Sequence, residues 1–223
     1  ELALETARHL KSQGIPFHLE MIGGGSMEAE SRAMRAEYGL EEEVSLPGFL
    51  TPPQVREHME KADIFLFTSD RQEGWGAVAN EAMNSGCAVL ADHMIGAVPF
   101  LIKDGENGLI YRDGDKLELC SLAEKLTRNG ELCSRLGKNA YGTITEVWNA
   151  EWAAAALMEL CGKLGLEAAQ GVTKNVRQGR ASGKAVPDSS AEVQGRSYPT
   201  PCAPAKVISE RRMYGLLKKE KRQ

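Results

Sequence analysis

Apolar positions along this chain follow two alternating rhythms. Residues 2–13 carry Leu2, Ala3, Thr6 and Leu10 at helical spacing, with Gly14 as the stop. Residues 17–22 predict a short strand running into Gly23, Gly24 and Gly25, and Ser26 is placed to cap a helix reaching Tyr38. Residues 44–46 predict a second strand, followed by a turn at Pro47 and Gly48. A short helix is predicted over 53–61, then a strand, Ile64-Phe65-Leu66-Phe67, apolar at every position. Residues 77–84 read as a helix closed by Gly86. A strand at 88–91, a helical turn at 98–102 and a strand at 108–111 follow. Two longer helices are predicted at 116–127 and 131–161, the second breaking near Gly142.

Strands alternating with helices across short loops predict an α/β fold: a Rossmann-like, doubly wound parallel sheet. The apolar run 64–67 suits a central strand covered on both faces. The chain opens on a helix, whereas a right-handed parallel crossover places a strand ahead of such a helix. With Glu1 where an initiator Met would stand, this predicts a sequence that starts part-way through a longer protein.

Composition changes the picture at Gly165, where Gly, Ser, Pro and Gln take over and apolar periodicity stops until Val207. The first 164 residues hold 15 basic and 26 acidic side chains, whereas residues 165–223 hold 12 and 5. The expected organisation is an acidic folded domain over 1–164 and a flexible, basic, low-complexity tail over 165–223, with a short helix at 207–219. Such a tail is solvated or held at a partner or membrane surface, and both readings stay open. The net charge of -4 gives no reason to expect nucleic acid as a partner. No stretch approaches the roughly 20 apolar residues of a bilayer span. Cys87, Cys120, Cys133, Cys161 and Cys202 are scattered and unclustered, as suits reduced cytosolic thiols rather than a disulfide framework or zinc site. The four histidines are equally dispersed, so no metal site is expected.

The informative stretch lies between two predicted strands, at the carboxyl edge where open α/β sheets bind ligands. It reads Glu73-Gly74-Trp75-Gly76-Ala77-Val78-Ala79-Asn80-Glu81. Gly74 and Gly76 let backbone approach a ligand closely. The helix starting near Ala77 turns its unpaired N–H groups toward that loop, which suits a pyrophosphate. Glu81 lies one helical turn beyond Ala77, on the same face. A carboxylate there would repel phosphate, so its natural partner is a diol such as a ribose. Glu73, across the glycines, is placed for hydroxyls of a sugar beyond the phosphates. Gly23 to Gly25 is no dinucleotide fingerprint, because position 28 is Glu28, and no Walker A lysine follows. Trp75 suits ligand contact and packing equally. Trp148 and Trp152, four apart on one helix face, suit core or interdomain packing, and His93, just after a strand and near where a ligand could lie, suits a surface loop or a ligand contact.

Two glutamates around Gly-aromatic-Gly, followed by Glu-Ala-Met-x-x-Gly-x-x-Val, resemble the family-4-type retaining glycosyltransferases of the GT-B fold. The glycine turn at 23–25, the segment 44–48, the strand at 61–69 and the segment 95–111 resemble the family in order and spacing, and the likeness spans about residues 1–163. It implies one half of a GT-B fold, the donor-binding half, with a C-terminal helical extension. The implied activity is sugar transfer, with retention, from a nucleotide-diphosphate sugar to a glycan, lipid-linked or other cell-envelope acceptor. Glu81 would bind the donor ribose and Glu73 the transferred sugar. Gly74, Trp75, Gly76, Ala77 and Val78 would hold sugar and diphosphate, with Gly23, Gly25, Pro47 and Gly48 beside the donor. No cofactor or metal is implied, and the place is the cytoplasm, at the inner face of the membrane.

The sequence departs from the pattern at its start. The Arg and Lys that neutralise the diphosphate in the family precede this stretch, and Arg8 and Lys11 lie on the following helix. The acceptor-binding domain is likewise missing, so the chain alone is expected to transfer no sugar. Two alternatives remain: a non-catalytic nucleotide-binding subunit that needs a partner chain, and a GT-B relative such as a sugar-nucleotide epimerase.

Overall fold

The computed structural model describes residues 1–164 and 214–218. They fall into two compact units, residues 1–145 with 214–218, and residues 146–164. In the first unit, α1 (Leu2–Ser12), β1 (His18–Ile22), α2 (Glu28–Glu37), β2 (Val44–Gly48), α3 (Pro52–Lys61) and β3 (Ile64–Phe67) follow one another. Then come α4 (Val78–Asn84), β4 (Ala88–Asp92), α5 (Val98–Leu101), β5 (Leu109–Tyr111), α6 (Lys116–Arg128) and α7 (Gly130–Glu146). The second unit contains α8 (Ala150–Lys163), and β6 (Tyr214–Lys218) returns to the first.

The α/β fold expected from the sequence is present. Its six strands form one sheet in the order β2-β1-β6-β3-β4-β5. β1 with β2, β3 with β4 and β4 with β5 pair in parallel. Alternate residues of the central strands feed opposite cores. Ile64 and Leu66, with Ala88 and Leu90, join Leu4, Leu10, Leu19, Leu119 and Leu126 on the face covered by α1 and α6. Phe65 and Phe67, with Val89 and Ala91, join Met83, Val98 and Leu101 on the face covered by α4 and α5. A strand lying between two helical layers must be apolar on both sides, which is why β3 has no alternation. Cys87 is buried on the second face, and burial pushes its thiol up to about 12. Among the described residues Cys87, Cys120, Cys133 and Cys161 form no disulfide; Cys202 lies outside the described residues.

Five local expectations are corrected. Ser26 does not cap α2: the cap position is Met27, and the Glu28 N–H bonds to the Gly25 carbonyl in a turn that uses up Ser26. β2 does not end at Leu46 but continues through Pro47 and Gly48, pairing Gly48 with Ile22 after a register shift. Proline is tolerated there because β2 is an edge strand. Gly142 does not break its helix. The break comes at residues 147–149, where the Asn149 side chain accepts from the Trp152 N–H and starts α8. Trp148 therefore precedes that helix instead of sharing a helical face with Trp152, and both are partly exposed.

The last correction is the largest. Residues 214–218 of the expected tail helix form a strand, β6, antiparallel to both β1 and β3. The remaining residues of that expected helix, 207–213 and 219, lie outside the described residues. The sheet is therefore mixed. β6 stands where a strand leading through α1 into β1 would stand under the right-handed crossover rule, but runs the opposite way.

Leu117 and Leu119 test this layering from within one helix, since Leu119 is fully buried and Leu117 is 79% exposed. Leu119→Ala is expected to lower unfolding free energy by about 2–5 kcal/mol. Leu117→Ala should change it by less than about 0.5 kcal/mol in denaturant titrations.

Candidate functional site

All five parallel strands end at one edge of the sheet, so five connecting segments converge there. The segment after β3 carries most of the chemistry. It leaves the sheet as Thr68 and Ser69 and folds through a turn in which the Glu73 N–H bonds to the Asp70 carbonyl. The half-buried Glu73 carboxylate accepts from the Ser69 hydroxyl at 3.3 Å. Gly74 is exposed. Gly76 is buried at φ 82°, and a Cβ there would meet the Phe67 ring at 2.7 Å. Only glycine reconciles that left-handed backbone with that ring.

The glycine loop is clamped from the side by the segment after β4. The Ala97 N–H donates to the Trp75 carbonyl at 2.8 Å. Gly96 approaches so closely that a Cβ on it would lie 1.7 Å from the Gly74 carbonyl oxygen. Trp75, 39% exposed, donates from its indole nitrogen to Asn80 at 3.0 Å, and its ring lies 5.7 Å from that of Phe100. Trp75 thus both packs and presents a ring surface.

Ala77, exposed, takes the cap position of α4, and Val78 opens the helix with its side chain buried. Glu81 sits one turn in. Among the described residues no donor reaches its carboxylate, and burial alone pushes its pKa up. A desolvated carboxylate without a partner is the opposite of a surface ion pair. It suits a ligand that brings its own donors.

Gly23, Gly25, Pro47 and Gly48 gather two strands away, at the ends of β1 and β2. The Gly23 N–H donates to the Gly48 carbonyl at 2.8 Å, which joins the two turns. The exposed Phe49 ring lies over Gly24, where a Cβ would meet it at 2.8 Å. Pro47 is exposed on the edge strand. The structure therefore brings Glu73, Gly74, Trp75, Gly76, Ala77, Val78 and Glu81 into one loop and helix. It brings Gly23, Gly25 and Gly48 into a second cluster, with β6 between the two strands that feed them.

Sequence reasoning missed Gly96, Asn80, Phe49 and Phe100. It also undervalued Asp92, at the end of β4. This buried carboxylate accepts from the Met94 N–H at 2.9 Å and the Gly114 N–H at 2.7 Å, tying the β4 and β5 turns together. His93 lies 3.3 Å from Asp92 and accepts from the Asp113 N–H, so its place in this tie goes beyond a plain surface loop. Among the described residues no group of three or more His, Cys, Asp or Glu side chains is arranged to hold a metal ion.

Two outcomes follow from this geometry. Gly96→Ala is expected to lower stability by about 1–3 kcal/mol, because backbone rather than a flexible side chain must yield. Gly74→Ala, with open space around it, should cost clearly less in the same denaturant titration. Glu81 gives a pH signature. Its folded-state pKa lies above the unfolded value, so stability is lost as pH rises from the ordinary carboxylate range through the raised native value. Glu81→Gln cannot ionise. It should be more stable than the native chain at neutral pH, and the gain should vanish in acid.

Comparison with known proteins adds an independent line. The family model described as "Glycosyl transferases group 1" matches residues 1–143. The chain is 30% identical over 132 residues to the putative colanic acid biosynthesis glycosyltransferase WcaL of Salmonella typhimurium, covering 57% of this chain and 32% of that protein. It is 32% identical over 132 residues to the amylovoran biosynthesis glycosyltransferase AmsK of Erwinia amylovora, with the same shares covered. Among solved structures, a Staphylococcus aureus TarM mutant in complex with Fondaparinux, alpha-GlcNAc-glycerol and UDP superposes with a TM-score of 0.63 at 25% identity. That match covers 71% of this chain and 32% of TarM. The aligned stretch spans about a third of the length of each of these relatives.

Proposed function

Since the chain belongs to the glycosyl transferases group 1 family, we propose that it is the donor-binding half of an enzyme that takes sugar from a nucleotide-diphosphate donor. The acceptor is a glycan or a lipid-linked or other cell-envelope molecule, seated on an acceptor-binding domain. The observation that carries this reading is the unpaired, desolvated Glu81 one turn behind the clamped Gly74-Trp75-Gly76 loop. Relatives named for colanic acid and amylovoran biosynthesis support a cell-envelope polysaccharide as the product. The UDP in the TarM complex supports a nucleotide diphosphate as the leaving group.

In this mechanism each part has one task. Glu81 accepts hydrogen bonds from the ribose diol, which give a partly desolvated carboxylate the donors it lacks. Backbone N–H groups of the loop and the start of α4 meet the diphosphate. Glu73 accepts from hydroxyls of the transferred sugar and stabilises positive charge as the anomeric bond breaks. Retention of configuration and independence from divalent metal belong to this proposal. So does a cytoplasmic place at the inner face of the membrane. Among the described residues no helix is long and apolar enough to cross a membrane.

The two glutamates separate the roles. Glu81→Ala is expected to weaken nucleotide-diphosphate binding by about 1.5–3 kcal/mol in metal-free calorimetry, the loss of a hydrogen bond to a charged group. Glu73→Gln should leave that affinity nearly unchanged and lower kcat with the donor sugar, measured with an acceptor-binding domain present, because what it removes strengthens in the transition state. Reversed effects would reverse the assignment. If neither variant altered binding or turnover, the loop would not be the donor site.

A further inference from the structure

We propose that the paired rings of Trp75 and Phe100 are the sugar-selecting wall of the site. They favour donors whose transferred sugar carries a methyl group, on an acylamino substituent or in place of a hydroxyl. This inference rests on the donor-binding reading above and names the class of sugar that the site takes.

The two rings come from successive connections, Trp75 from the one after β3 and Phe100 from α5, after β4. Their centroids lie 5.7 Å apart with the planes inclined at 30°, a spacing at which aromatic rings attract. Trp75 is nevertheless 39% exposed and Phe100 65% exposed. Single apolar side chains on a surface are ordinary. Two rings joined into one patch, at a sheet edge that gathers binding loops, form the apolar part of a ligand site.

The patch is held in place from below. The Trp75 carbonyl accepts from the Ala97 N–H at 2.8 Å, and the indole N–H is spent on Asn80 at 3.0 Å. Ala97 is the cap residue of α5, so the bond that fixes Trp75 also fixes the helix carrying Phe100. With its one donor spent, the indole offers a ligand only carbon surface, and Phe100 has nothing else to offer. A hydroxyl set against these rings loses water and gains no hydrogen bond from them. A methyl group gains by the same burial.

The patch also stands beside the group assigned to the sugar. A Cβ on Gly76 would lie 3.1 Å from Glu73 Cγ, so residues 73 and 76 touch across the loop. Trp75 stands on the short arc of chain between them. One small turn therefore presents a carboxylate for hydroxyls and an aromatic wall for a substituent that has none.

Metal-free calorimetry on the intact chain, with UDP, UDP-glucose, UDP-N-acetylglucosamine and UDP-6-deoxyglucose, tests this. At least one of the two methyl-bearing donors is expected to bind about fourfold or more tightly than UDP-glucose, the gain from burying one methyl group. Which of them does so tells the acylamino source from the deoxy source. Phe100→Ala, at an exposed position, should remove that preference and leave UDP affinity unchanged, whereas Phe100→Leu should keep most of it. A native chain that prefers UDP-glucose, or binds the three donors alike, would overturn the proposal. So would a preference that survives in Phe100→Ala, or a loss there that falls equally on UDP, which would make Phe100 a support for the loop. UDP binding without discrimination among the sugars would leave the donor-site reading standing. A native chain that binds neither UDP nor any of the donors would overturn that reading and this inference together.

Discussion

Four consecutive apolar residues, Ile64 to Phe67, are the constraint on which the fold turns. A strand buried on both faces can satisfy its backbone only sideways, so β3 must find a neighbour at each edge along its length. On one side β4 supplies it through a parallel ladder of four partners. On the other, the neighbour comes from the far end of the chain. The apolar faces of β3 recruit two separate helical layers, and its carboxyl end delivers Ser69, Glu73 and the glycine loop to the edge where the other turns arrive. Even the ring of Phe67 reaches forward, filling the space that requires Gly76 to be glycine.

Much of this was legible from the chain. The all-apolar run of β3, the glycine ending of β1 and the Glu73-to-Glu81 spacing each specify a feature through neighbours a few residues away. The failures share the opposite property. β6 pairs with residues about 150 to 200 positions earlier, so the apolar run in Tyr214-Gly-Leu-Leu, between arginines and lysines, passed for helix when read alone. Gly96 looked like any loop glycine because its reason is the carbonyl of Gly74, some twenty residues before it. Ser26 has the right side chain for a cap, but the turn from Gly25 to Glu28 consumes it. Gly142 is a weak breaker inside an otherwise consistent pattern, and the actual interruption was set by Asn149, which can start a new helix.

The two glutamates stand in different electrostatic surroundings although they belong to one short segment. Glu73 is half-buried and has a hydroxyl beside it. Glu81 is burdened by desolvation and receives no donor from the described residues. A folded protein keeps such a group at a cost in its own stability, and that cost is lowered when a ligand brings hydroxyl donors. Affinity and instability at this position are therefore two aspects of the same unsatisfied carboxylate.

The close passage of Gly96 over Gly74 bears on how this scaffold can be altered. Loop grafting treats a binding loop as a module that can be lifted from one protein and set into another. Here the stretch from Glu73 to Val78 has no independent shape: its path is pressed into place by a glycine and an amide from the next connection, and Phe100 covers its aromatic residue. The smallest transplantable unit is therefore discontinuous, made of both segments together with Phe67 beneath them. Libraries that diversify the first loop while holding the second fixed would sample only sequences compatible with that one imprint.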